Sequence, residues 1–164
     1  MQRLLFGAFV ASAVALAACE PNAQQQTQAQ APAAQRTDQL FIETASGRHP
    51  FRIEVAVTPE QKATGLMFRR ELAPDAGMLF TYEQPQIIQM WMRNTYIPLD
   101  MVFVGADGRV INVAERTVPE SLTIVPSAAP AVGVVELVGG TAARLRIRPG
   151  NRVLHPFFGT AAAP

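Results

Sequence analysis

From Gln39 to Phe158 the chain runs in short apolar stretches broken by turn-forming residues. A two-residue alternation of apolar and polar positions predicts half-buried strands. Leu40-Phe41-Ile42 and Phe51 to Val57 are two such runs, flanking a turn at Ser46-Gly47. Thr58-Pro59-Glu60-Gln61 then opens a helix, with Thr58 as N-cap, Pro59 in the first turn and Gln61 closing a capping box. Gly65 ends that helix after two turns. Leu99 to Val104 and Val110 to Ala114 are predicted strands, joined through Gly105-Ala106-Asp107-Gly108; Asp-Gly between apolar runs is a hairpin signal. Pro119, Pro126 and Pro130 make 118–131 a loop or an extended edge segment. Val134 to Val138 is a further strand and Thr141 to Leu145 a short helical stretch. Pro149-Gly150-Asn151 turns into a last strand, Arg152 to Leu154. Many short strands with two brief helices and no internal repeat predict a mainly β sandwich or barrel.

The first residues have a different pattern. Arg3 is the only charge before Glu20, and Leu4 to Ala18 is an Ala-rich apolar run. It falls short of the roughly 20 residues that span a bilayer as a helix. A basic start, a short apolar stretch and small residues at its end mark an export signal over residues 1–18. Leu16-Ala17-Ala18-Cys19 resembles the lipobox of bacterial lipoproteins, which implies diacylglyceryl transfer to the Cys19 thiol, removal of the preceding peptide and acylation of the new amino end. Three acyl chains exceed what stable anchoring requires. Glu20 is not the Asp that, in the resembled lipoproteins, favours retention at the inner membrane, so the outer membrane, facing the periplasm, is the expected address. Residues 19–38 join Cys19 to the domain through a Gln-, Ala- and Pro-rich tether with no apolar period to bury. The expected domain spans 39–158, and 159–164 is expected to be a disordered tail.

Charge and cysteine count narrow the function. Net charge is +1, and removing Arg3 with the signal leaves the mature chain neutral, so no field exists to hold nucleic acid. Cys19 is the only cysteine, which excludes a disulfide framework and a cysteine zinc site.

The middle of the chain carries a series of blocks: Gly65-Leu66-Met67-Phe68-Arg69, Gly77-Met78-Leu79-Phe80, and Trp91-Met92-Arg93-Asn94-Thr95 running into Ile97-Pro98-Leu99-Asp100. Asp107-Gly108 follows, then Glu136-Leu137 before Gly140. In this order they resemble domain-of-unknown-function family 192, over nearly all of residues 40–155. The resemblance implies a compact, jelly-roll-like β domain, often exported or membrane-anchored in bacteria and archaea, and implies no reaction. Arg93 stands where that family commonly has Lys, and Met90 where an aromatic is usual.

Several chemistries remain to be weighed on the residues. Ser46, Ser121 and Ser127 lie in no nucleophile-elbow pattern, and His49 and His155 each precede a proline, which biases them to extended backbone. Met90 and Met92 flank Trp91 on one strand face, a weak candidate pair of soft ligands for Cu(I); core filling is the ordinary role of such methionines. Asp100 and Glu136 are a candidate carboxylate pair for an envelope- or carbohydrate-directed hydrolase. Arg144, Arg146 and Arg148 would share one face if on a strand, as a phosphate patch or a solvated face. The favoured site is the run around Pro98. Asp100 alternates away from Leu99, Met101 and Phe103, so it must be hydrogen-bonded, paired with Arg69 or Arg93, or open to a pocket. Trp91 and Arg93 share a side, so the ring can stack on the guanidinium or on a ligand. Arg69, Trp91, Arg93, Asn94, Thr95 and Asp100 are therefore the candidate binding residues, with a purely structural polar network as the alternative. The expected protein is an exported, lipid-tethered, non-enzymatic binding or accessory domain for a small molecule or envelope partner, requiring no cofactor.

Overall fold

The computed structural model describes residues 37–160. The expected export signal, Cys19, the expected tether to residue 36 and the last four residues lie outside the described residues. Strands β1 (Thr37–Thr44) and β2 (Gly47–Ala56) form an antiparallel hairpin around Ser46-Gly47. Helix α1 (Pro59–Thr64) has the expected capping box: the Thr58 hydroxyl accepts the Gln61 N–H at 3.2 Å, and the Gln61 side-chain oxygen accepts the Thr58 N–H at 3.0 Å. Gly65 caps its C-terminus at φ 48°. After α1 come β3 (Ala76–Gln86), the short β4 (Gln89–Met90), β5 (Leu99–Val104), β6 (Val110–Ala114), the short β7 (Val125–Pro126) and β8 (Ala131–Val138). Helix α2 (Thr141–Leu145), β9 (Arg152–Leu154) and a 3-10 turn at Pro156–Phe158 complete the described chain.

The fold is mainly β. Seven strands form one sheet in the order β6-β5-β8-β3-β2-β1-β9, and β4 pairs with β7 in a separate ribbon. Among the described strands only β2 and β3 run parallel, because α1 and its following loop carry the chain back to the same end. The sheet curls until its outer strands meet. Val110 N–H donates to the Asn151 carbonyl at 2.9 Å, and Val153 N–H to that of Gly108 at 2.8 Å. These contacts cover the start of β6 and of β9, so the curled sheet forms a half-barrel with part of each outer edge protected.

Curling gives the sheet two different faces. Leu40, Ile53, Leu79, Val102, Val135 and Leu137 belong to a cluster drawing on all seven strands, which fills the concave side. Met78, Phe80, Leu99, Met101, Phe103 and Val134 form a second cluster on the convex side of β3, β8 and β5. Three loops, 57–75, 87–98 and 115–130, roof that second cluster with Leu66, Ile88, Met90 and Met92. All six residues of β5 are consequently buried.

Three expectations shift in position. Thr37 and Asp38, assigned to the tether, already pair with Glu54 and Ile53. Gly159 and Thr160, assigned to the tail, are folded; the Thr160 hydroxyl donates to the Val153 carbonyl at 2.7 Å. Arg144 lies in α2 and Arg146 caps it in left-handed geometry, so the arginines do not alternate along a strand. That stretch has to turn the chain between β8 and β9, and no partner strand lies alongside.

Candidate functional site

Under the loop roof lies a cleft of about 230 Å³, lined among others by Leu66, Met67, Phe80, Tyr82, Trp91 and Glu136. Its base is set by sheet register. Glu136 on β8 stands opposite Met78 of β3 and Met101 of β5, so all three side chains share the convex face. Glu136 is 4% exposed. Among the described residues no group donates a hydrogen bond to its carboxyl, and burial pushes it up to about 8. At neutral pH the acid is largely protonated, able both to donate and to accept a hydrogen bond. Tyr82 is half-buried nearby; burial raises its phenol first and the Glu136 charge adds to that. The Lys62 ammonium lies 4.5 Å from the Tyr82 ring centre at the side of the cleft. The cleft thus combines apolar walls with one buried, protonatable group and a cation at its edge, the composition expected of a small-molecule site.

The candidates of the Trp91–Asp100 run divide between places. Trp91 and Thr95 line the cleft. The Arg93 guanidinium sits 5.8 Å from the Trp91 ring centre, the stacking expected from their spacing. Asn94 holds left-handed backbone (φ 53°); its carbonyl accepts the Phe68 N–H at 2.8 Å, and its amide donates to the Met67 sulfur at 3.8 Å. Arg69 and Asp100 stand apart from this group. Arg69 forms a two-pronged ion pair with Glu54, one arm at 2.7 Å.

Asp100 points into the concave side. Its carboxylate accepts backbone N–H groups from Arg116 (2.7 Å), Gly140 (3.0 Å) and Ala142 (2.7 Å). Of the outcomes open to this carboxylate, hydrogen bonding by backbone is the one observed, with neither Arg69 nor Arg93 as partner. Those bonds satisfy donors at the start of α2, which its N-terminal Gly140 has no side chain to cap.

The same register corrects the carboxylate-pair reading. Asp100 pairs with Leu137 and Met101 with Glu136, so Asp100 and Glu136 project from opposite faces of the sheet and cannot flank one substrate bond. Met90 and Met92 both belong to the second buried cluster; the Met92 sulfur accepts the Thr117 hydroxyl at 3.0 Å, and Met90 also borders the cleft. β4 ends at Met90, before a strand face can hold both. Neither histidine is placed as a general base. His49 bonds Ser46 and Thr44 in the β1–β2 turn, and the Ser46 hydroxyl is itself donated to the Leu145 carbonyl. His155 is buried, which lowers its basicity, and its Nδ1 accepts the Phe157 N–H. Lys62, Leu66, Met67, Phe80 and Tyr82 were not foreseen as cleft residues. The Gly65-Leu66-Met67 block was the available signal, because a helix ending there must lay its last residues against the sheet.

A curled seven-stranded sheet, roofed on its convex side over one buried carboxyl, defines a small barrel-like β domain with a covered cleft. The chain belongs to the DUF192 family, described as "Uncharacterized ACR", which matches residues 40–155. A solved protein of unknown function from Novosphingobium aromaticivorans is 45% identical, with a TM-score of 0.73 over 76% of this chain and 90% of its own. A solved Sinorhizobium meliloti protein described as a "putative transcription regulator" is 41% identical, with a TM-score of 0.74 over 77% of this chain and 99% of its own. No curated protein matches the chain significantly.

Proposed function

We propose that this protein is an exported, non-enzymatic binding domain, tethered to a membrane through lipid on Cys19 and holding a small ligand in the cleft over Glu136. The observation that carries the reading is a buried carboxyl, with no hydrogen-bond partner among the described residues, at the base of an open cleft. Leaving such a group unmatched costs roughly 1–3 kcal/mol, and a ligand that completes its hydrogen bonds recovers this. The apolar walls and the Trp91 and Tyr82 rings suit a ligand with an apolar or ring-like body and one polar end facing Glu136. The outer membrane, with the domain facing the periplasm, fits the sequence around Cys19.

The reading of the Sinorhizobium protein as a regulator gains no support here. The chain is nearly neutral, and the longest helix among the described residues has six residues, too short to serve as a recognition helix. Native mass spectrometry of the protein purified from its own host tests the cleft. The expected result is a small molecule bound to wild type and absent from Glu136→Gln. Identical bare masses for both would remove Glu136 as a ligand contact.

A further inference from the structure

Among the described residues, eight of the nine exposed large hydrophobic side chains lie in the three roof loops. Backbone bonds tie these loops together. Phe68 N–H bonds the Asn94 carbonyl, Met92 N–H that of Ser121, and Glu120 N–H that of Thr95. Phe68 and Tyr96 touch edge to face at 6.3 Å, and the β4–β7 register, continued by one pair, sets Trp91 opposite Ile124. Phe68 is the most telling member. It is 59% exposed and sits at φ 65°, a left-handed conformation unfavourable for a bulky side chain. A strained backbone that holds an aromatic ring in water serves something other than stability.

The occupant follows from where the chain enters. Thr37, the first described residue, pairs with Glu54, and Glu54 holds Arg69, which lies between Phe68 and Arg70. The tether therefore joins the domain beside the Phe68 loop. Residues 20–36 separate that point from Cys19, and random-coil scaling for that number of residues gives roughly 20–25 Å, a distance that would bring a membrane holding Cys19 within reach of this surface. Trp91 and Tyr96, with the Arg93 and Arg70 guanidinium groups over their rings, are side chains that settle at the lipid–water boundary.

We propose that the roof surface of Phe68, Trp91, Tyr96, Leu122 and Ile124 docks on the lipid bilayer to which the chain is tethered, with the mouth of the cleft turned to the membrane. This rests on the tethered-domain reading above. Cations and anions are balanced in the roof loops (Lys62, Arg69, Arg70, Arg93 and Arg116 against Glu60, Glu71, Asp75, Glu115 and Glu120), so the contact is apolar and little affected by lipid charge. Tethering makes it intramolecular, and weak insertion then suffices.

Trp91 is the only tryptophan and reports the contact directly. The strand pairings and both core clusters of the described residues lie within 37–160, so a chain of residues 20–164, without lipid, keeps every residue that forms them. On phosphatidylcholine vesicles its Trp91 emission should shift to the blue and be quenched by brominated acyl chains. Phe68→Ser and Leu122→Ser, both at exposed positions, should each weaken partitioning roughly tenfold while keeping the wild-type circular dichroism. Quenching in the lipid-free chain supports docking even if acyl labelling shows Cys19 unmodified, in which case only the anchor reading falls. An acylated, membrane-held protein whose Trp91 stays unquenched overturns docking and leaves the anchor standing. A blue shift without vesicles that grows with protein concentration overturns it too, and gives the surface to a second copy.

Discussion

Asp100 and Glu136 are both buried, one register step apart on neighbouring strands, and their surroundings give them opposite responses to substitution. Asp100 is an acceptor surrounded by three backbone donors. An asparagine there keeps one acceptor oxygen and turns an NH2 group toward N–H groups that need an acceptor. We expect Asp100→Asn to lose roughly 2–4 kcal/mol in urea unfolding, whereas a binding residue would be neutral or stabilising on replacement. An unchanged midpoint would show that the carboxylate does not hold the start of α2. Glu136 responds through pH. Its carboxyl titrates near 4.5 unfolded and at about 8 folded. Between those values the folded state keeps a proton that the unfolded state has released, so stability falls as pH rises through this window. Below about 4.5 both states are protonated and the effect vanishes. Glu136→Gln removes the ionisation, so it should match wild type in acid and exceed it by roughly 5 kcal/mol above pH 8. Melting curves across that range check this, and parallel curves would mean that the carboxyl is solvated.

The elements show which sequence signals carry through to structure. The capping box at Thr58 is local chemistry, and Thr58→Ala should cost about 1 kcal/mol. Gly77 depends on a neighbour distant in sequence: a Cβ there would lie 2.5 Å from the Glu136 carbonyl oxygen on the adjoining strand β8. Gly77→Ala should therefore cost at least about 2 kcal/mol, clearly more than the cap variant, when the two are unfolded side by side. The same distinction separates what was legible from what was not. The β1–β2 turn, α1, the β5–β6 hairpin and the opposed faces of β5 rest on periods and turn residues a few positions apart, and they read directly from the sequence. β3 was recognised only as a block of residues, because Gly77 and Pro85 interrupt its alternation. Its glycine is set by β8, and its proline lies beyond Thr81, where the pairing with β8 loses register. The cleft follows the same rule. Trp91 and Thr95 carried a local signal, whereas the base is Glu136, whose depth depends on three loops folding over it. Asp100 was legible as a buried carboxylate but not its partners, which arrive from sixteen, forty and forty-two residues away.

At the scale of the whole molecule, strain collects on one side. Phe68, Asn94, Arg116 and Glu120 hold left-handed backbone in the roof loops, against Arg146 alone elsewhere among the described non-glycine residues. Two of the bonds tying those loops together involve these residues: Phe68 N–H to Asn94 and Glu120 N–H to Thr95. The curled sheet therefore serves as the rigid part, and the roof as the part shaped for contact, as in other domains whose working loops sit on a fixed scaffold. No helix among the described residues is long and apolar enough to cross a membrane, so the proposed attachment rests on Cys19 and the roof together. The two contributions differ in kind. Acyl chains anchor stably because each buried CH2 adds about 0.8 kcal/mol, whereas a surface of a few aromatic side chains exchanges readily. Cys19→Ser should accordingly abolish attachment that survives carbonate washing, while leaving a reversible fraction that Phe68→Ser removes. The acylated protein carrying only Phe68→Ser should stay in the washed membrane but lose the brominated-lipid quenching of Trp91. Fractionation with acyl-chain labelling separates the two: a Cys19→Ser protein that is still processed and still resists the wash would place the anchor somewhere other than this cysteine.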